Sequence, residues 1–287
     1  MKSLEFTLWP ACVKTHAFED QVRAASSAGF DALPIGPLTY RELRERGYSP
    51  GKILDLTRNE GIALGHFDGF GAWAPLRYDH QLPEAARAVF DVSVDECLKI
   101  CGELELKAIC ATAAFAPGKV PVSAMIDSFG EFCLRAAGAG LRVDLESIPM
   151  WGIPDLATAW TIVRESGANN AGVLLDIWHF SRGNPDMSLL REMPPGSIAT
   201  VQLADATSAT RGADLFEDCM RFRRLPGKGE LAVVEILEIL RDKGGVTSIG
   251  PEIFADELDR LDAEEAAQRC ASASKDVLAR AGWSIQG

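Results

Sequence analysis

The sequence predicts an α/β protein, a single (β/α)8 TIM barrel. Eight short β-branched runs alternate with long amphipathic stretches, so an alternating apolar pattern gives way each time to a helical one. The chain has 287 residues, the size of one such barrel of roughly 250 residues with some decoration. No Pro/Ser-rich linker interrupts it, and nothing repeats beyond the βα unit itself, so residues 1–287 are expected to form one domain. A doubly wound open sheet is the runner-up. It is weakened because no G-x-G-x-x-G follows the first strand.

The strand candidates are residues 5–10, 31–38, 62–69, 107–114, 141–149, 171–180, 197–206 and 246–254. Helical stretches between them include 18–29, 83–106, 122–140, 156–167, 231–243 and 263–282. Gly29, Gly61, Gly140, Gly167 and Gly244 each stand where a helix should stop before the next strand. Asp155 and Asp262 stand where N-caps belong, one residue before the helical stretch. Cys97 and Cys101 are four apart on one helix face, with no further Cys or His to complete a metal set, so they read as buried packing.

Composition excludes several function classes. Hydrophobic residues make up 47% and charged residues 24%, which suits a globular core and rules out a disordered chain. The 29 basic against 41 acidic residues give a formal charge of −12, against a nucleic-acid partner that would need clustered cations. No apolar run approaches the ~18 residues of a membrane span, and the first ten residues lack the apolar core of a signal peptide. Seven cysteines at scattered spacings argue against a disulfide framework, and a reducing cytoplasm is the expected compartment.

In a barrel, chemistry collects at the C-terminal ends of the strands. The fifth candidate strand, LRVDLESIP, delivers Glu146 there, and the sixth, AGVLLDIWHF, delivers Asp176 with His179 three residues on. The seventh, SIATVQLADA, delivers Gln202 and Asp205, and the eighth, VTSIGPEIF, delivers Glu252. Each has a plain structural reading: Asp176 as a helix cap, Glu146 as an arginine's partner, His179 as a satisfied rim histidine. Desolvating an unpaired carboxylate costs several kcal/mol. Four polar residues, three of them carboxylates, on four consecutive strands therefore point to a cation among them. His66 and Asp68, in LGHFDGFGAW, are read at the same mouth as substrate contacts or ordinary loop residues. Trp9, Trp73, Trp151 and Trp178 fall near strand ends and suit the walls of a sugar or cyclitol site, a water-excluding lid or the core.

Glu146, the D-x-x-H of Asp176 and His179, Gln202 and Glu252 together resemble the xylose-isomerase-like TIM-barrel superfamily over essentially the whole chain. That superfamily takes in sugar isomerases and epimerases, inosose dehydratase, dehydroshikimate dehydratase and endonuclease IV. The resemblance implies that Glu146, Asp176, Gln202 and Glu252 ligate one divalent ion while His179 faces the substrate. The segment RRLPGKGE, residues 223–230, resembles the superfamily's R-x-x-P-G-x-G loop, which implies that Arg223 or Arg224 reaches the substrate. Two departures stand out. Gln202 occupies a position that is histidine in many sugar isomerases, and an all-oxygen ligand set favours Mn²⁺ or Mg²⁺ over zinc. Ketose 3-epimerases carry a second glutamate six residues after the first, where this chain has Gly152.

These residues imply a metal-dependent isomerase or epimerase of a small polyhydroxylated carbonyl compound, acting by proton abstraction α to the carbonyl. Glu146 and Glu252 serve as base and acid, and Trp178, His66 and an arginine contact the substrate. The alternative is a lyase that dehydrates a cyclic keto-polyol such as an inosose or dehydroshikimate on the same metal, with His179 as the acid. The DNA-repair branch needs a histidine-rich zinc site and a basic face, which four histidines and a charge of −12 do not supply. A non-enzymatic partner subunit is the remaining reading. The stretch ending near Leu106 offers a face for a homodimer.

Overall fold

The computed structural model describes residues 4–80 and 82–284. Seven strands form one sheet: β1 Glu5–Phe6, β2 His66–Phe70, β3 Ala108–Ala111, β4 Arg142–Glu146, β5 Ala171–Asp176, β6 Ile198–Leu203 and β7 Ser248–Pro251. Their order is β1-β7-β6-β5-β4-β3-β2 and every pairing is parallel, as crossover helices require. The expected strand at 31–38 does not extend into a ladder. Pro34 has no N–H to donate and Pro37 starts a helix, Pro37–Glu45, so only isolated bridges remain. Those bridges, Thr7↔Ala32, Ala32↔Ala63 and Ile35↔Phe67, are parallel and join the β1 side to the β2 side, so the segment closes the ring.

The helix ends follow the sequence signals. Asp155 and Asp262 accept hydrogen bonds from the N–H groups of Thr158 and Glu265, each at 2.8 Å. The five helix-stop glycines all take left-handed φ. The expected helix over 83–106 breaks in two, Glu84–Phe90 and Val94–Glu103. Ser93 starts the second by accepting from Glu96 N at 3.1 Å, a signal already present in its Ser-x-x-Glu spacing. Cys97 and Cys101 are buried on that second helix, as packing residues. Among the described residues no helix is long and apolar enough to cross a membrane.

The barrel interior is polar low down and apolar in the middle. His66 opens β2 opposite Ala108, the first residue of β3, so it lies towards the N-terminal end. There its Nε2 meets Thr200 Oγ1 at 3.2 Å, and Thr200 donates to the fully buried Asp144 at 2.8 Å. Above this layer Trp9, Cys110 and Leu174 pack as a small cluster of their own. The expected strand over 171–180 ends at Asp176, where a short helix, Ile177–Arg182, takes over.

Candidate metal and substrate site

Parallel register brings the expected residues to one end of the barrel. Glu146 closes β4, Asp176 closes β5, Gln202 is the register partner of Asp176 on β6, and Glu252 follows β7. Glu146, Asp176 and His179 present ligand atoms that all lie within 4.8 Å of one another. His179 is there because Asp176 caps its helix: Asp176 Oδ1 accepts from His179 N at 2.8 Å, which turns the imidazole inward one turn later. The capping role and the site role of Asp176 are therefore both real, one on each carboxylate oxygen.

Arg223 occupies the centre of this group. Its Nη1 donates to Asp176 Oδ2 at 2.7 Å and to Glu252 Oε2 at 3.3 Å. Its Nη2 lies 3.3 Å from His179 Nε2, and Nε donates to the Cys219 carbonyl at 3.1 Å. Trp178 and Phe254 stack over its guanidinium, each 5.0 Å from the ring centroid. Trp178 itself is fully buried against Ala204, Ala206 and Cys219 and does not line the cavity. Its contact is with Arg223, not with the space a substrate would fill.

One guanidinium does not balance this set. Burial, then the nearby Asp176 and Asp68 charges, raise the Glu146 carboxyl well above its ordinary range. Burial raises Glu252 likewise, with Glu146 and Asp176 adding to it against Arg223. Burial also pushes Asp68 up to about 6. For Asp176 burial is outweighed, chiefly by the Arg223 guanidinium, so its carboxyl is held below the usual range. Burial drives His179 down to about 3, so the imidazole is neutral, with one ring N–H and one ring lone pair. Gln202 Nε2 donates to Glu252 Oε1 at 3.1 Å, while the buried Gln202 Oε1 has no partner among the described residues. A buried amide oxygen without a donor, beside carboxyls short of positive charge, fits a bound divalent cation. Glu146, Asp176, Gln202 and Glu252 would hold it, with His179 as a neighbouring nitrogen donor.

A cavity of about 210 Å³ opens over this set, lined by Asp68, Glu146, His179, Arg223 and Glu252 and walled by aromatic residues including Trp151 and Phe254. Other residues read at this mouth lie elsewhere. His66 lies among the strand starts, in the cavity at the opposite end of the barrel, because β2 begins at that residue. Arg224 points away from its neighbour, with Nη1 donating to the Lys228 carbonyl at 3.4 Å. Trp73 is buried and donates to the Thr112 carbonyl at 2.8 Å. Trp9 is fully buried below the site.

Asp205 holds the loop rather than the site. Its carboxylate accepts from the N–H groups of Ala206, Gly227, Gly229 and Leu231, at 2.8, 3.0, 2.9 and 3.0 Å. Backbone bonds between Asp205 and Arg224 complete the anchor and leave Arg223 facing inward. A Cβ at Gly229 would lie 2.3 Å from both Asp205 Oδ1 and the Ala206 carbonyl oxygen, so the loop closes only over glycine. Cys110, which donates to Glu146 Oε2 at 3.4 Å, was not legible as a site residue. It sits inside an apolar strand with no local signal.

The profile of the xylose isomerase-like TIM barrel family matches residues 22–275. A 3-dehydroshikimate dehydratase of Pseudomonas putida is 26% identical over 244 residues, covering 83% of this chain and 36% of that protein. An inosose isomerase of Halalkalibacterium halodurans is 29% identical over 143 residues, covering 49% of each. The chain thus spans about a third to a half of the length of these curated relatives. Among solved structures, the IolI protein with a bound zinc atom superposes with a TM-score of 0.82 at 18% identity, over 96% of this chain and 99% of that one. The profile match, together with the barrel that carries it, shows that the chain belongs to the xylose isomerase-like TIM barrel family.

Proposed function

We propose that the chain is a divalent-metal-dependent isomerase or epimerase of a small keto-polyol, working by removal of a proton α to the carbonyl. The observation that carries this reading is the unbalanced cluster: three buried carboxyls, one guanidinium and an unpartnered Gln202 oxygen beneath a cavity. A divalent ion bound there supplies Lewis-acid polarisation of the substrate carbonyl. Glu146 ends β4 and Glu252 follows β7, two strands that are not neighbours in the sheet, so the two carboxyls approach the cavity from different sides. One takes the proton and the other returns it. Arg223 keeps Asp176 ionised while the neutral His179 stands beside it. The aromatic walls exclude water, and about 210 Å³ is below the roughly 300–1,000 Å³ of pockets for drug-sized ligands, which suits a small substrate.

Dehydration is a second reading, favoured by one specific feature. A side chain at 152 would place its Cβ 2.3 Å from the Phe115 ring, so the second glutamate of ketose 3-epimerases has no room here. In that reading the β-hydroxyl leaves after the same proton abstraction, and a protonated glutamate serves as the acid, because burial holds the His179 imidazole in its neutral form. The similarity to both a dehydratase and an isomerase supports the shared step. The oxygen donors support Mn²⁺ or Mg²⁺, while the His179 nitrogen and the zinc in a structural neighbour keep zinc in the panel. The test is elemental analysis of purified protein with Glu146→Gln and Asp176→Asn beside it. Close to one equivalent of metal is expected, lost in both variants, together with metal-dependent deuterium exchange into a keto-polyol. Unchanged metal content in the variants would sink the reading.

A further inference from the structure

We propose that a second cavity, beside the loop of residues 223–230, binds a small phosphomonoester; this goes beyond the reaction above and stands without it. The cavity measures about 430 Å³, within the roughly 300–1,000 Å³ of small-molecule sites. Arg224, Lys228 and Arg269 line it, and Glu257 is the one acidic side chain among the described lining residues. Arg223 borders both this cavity and the first, but its nitrogens are taken up by Asp176, Glu252, His179 and Cys219. Leu225, Ile253, Leu258 and Leu261 make the rest of the wall largely apolar.

Composition runs the other way. With 41 acidic against 29 basic residues, a chance cluster on this chain would be acidic, and cations elsewhere stand against carboxylates: Arg41 with Glu96, Arg221 with Asp256. Here the Lys228 ammonium has no ion pair and no hydrogen bond among the described residues. The Arg224 guanidinium makes one long bond, to the Lys228 carbonyl at 3.4 Å. The nearby Glu230 carboxylate already accepts from Ser208 N at 2.7 Å. Arg269 pairs with Glu265 one turn away on the exposed side of the helix Ala263–Arg280, a contact worth little against an incoming dianion. Three cations around one concavity repel one another, and a phosphate relieves that repulsion while accepting hydrogen bonds from each. A carboxylate brings half the charge and fewer oxygens. The Arg224 N–H donates to the Asp205 carbonyl at 2.7 Å, so a ligand held by Arg224 and Arg269 ties the anchored loop to that helix.

Calorimetric titration of the purified protein in phosphate-free buffer with phenyl phosphate, inorganic phosphate and phenol tests this. Phenyl phosphate is expected to bind about tenfold more tightly than inorganic phosphate, because its ring meets the apolar wall, and phenol to give no heat. Lys228→Gln and Arg269→Gln are each expected to weaken phenyl phosphate about tenfold, the factor that corresponds to ~1.4 kcal/mol. Both side chains are exposed, so unchanged melting temperatures are expected alongside. Glu146→Gln, which removes the proposed metal site, is expected to leave the phosphate affinity as it is, so the two proposals fail separately. Inorganic phosphate binding as tightly as the ester supports the site and makes free phosphate its ligand. No binding of either phosphate at low ionic strength, phenol binding as tightly as its ester, an affinity that neither glutamine changes, or binding lost in Glu146→Gln overturns the inference.

Discussion

Arg223 carries more of this site than any other single residue. It is 3% exposed and bridges two carboxylates, so its removal leaves both buried and unpaired. Arg223→Met is therefore expected to lower the stability of the metal-free protein by about 3–5 kcal/mol in urea unfolding. A loss under ~1 kcal/mol would show that the bridge contributes nothing net. Its neighbour Arg224 shows why one of the pair was not separable in sequence. Adjacent residues in an extended segment face opposite ways, and only the Asp205 anchor decides which of them faces inward. His66 was misplaced for a related reason. The apolar run extends on both sides of it, and only the pairing with Ala108 shows that it begins the strand instead of ending it.

At the scale of elements, the loop of residues 223–230 is where local sequence and site geometry meet. Its Pro-Gly turn was readable from composition alone, whereas the four N–H groups gathered by Asp205 come from residues up to 26 positions away. Gly229→Ala is expected to cost about 1–3 kcal/mol by overpacking and to weaken metal binding, since the displaced loop carries Arg223. Gly138→Ala, at a helix end with nothing near its Cβ, is the control and should be neutral or slightly stabilising. Equal melting temperatures for the two variants would refute the role of the loop. The expected strand over 171–180 shows the limit of periodicity. AGVLLDIWHF is apolar apart from Asp176 and His179, and the change to helix at Ile177 is set by the Asp176 cap, which a run of buried residues conceals.

For the whole molecule, the proposed reading makes protons and a divalent ion compete for the same carboxyls. Glu146 and Glu252 have raised values in the folded state, so the stability they contribute is present in acid and lost as pH rises through the folded values. A divalent cation held there would replace those protons. The rise in melting temperature on adding Mn²⁺ is therefore expected to be larger at pH 8 than at pH 6. Metal affinity should increase by roughly tenfold per pH unit for each proton displaced. His179 and Asp176, whose values are lowered, act with the opposite sign on the metal-free protein and lose their contribution as pH falls. The metal-induced increment, taken as a difference at each pH, separates the two groups. An increment that does not change between pH 6 and pH 8 would place the cation elsewhere.

The sequence by itself determined the barrel class, the helix ends marked by caps and stop glycines, and the placing of Glu146, Asp176, Gln202 and Glu252 near the strand ends. These follow from short-range rules: period, caps, helix-stop glycines, and the cost of ending a buried strand on a polar group. Tertiary structure alone decided what surrounds them. It placed Arg223 inward and Arg224 outward, sent His66 to the far end of the barrel, made Asp205 a loop anchor and moved Trp178 behind the guanidinium. It also set the charge balance of the cavity, because that balance depends on which side chains from distant segments share one small, poorly hydrated space, and no local pattern encodes that sharing.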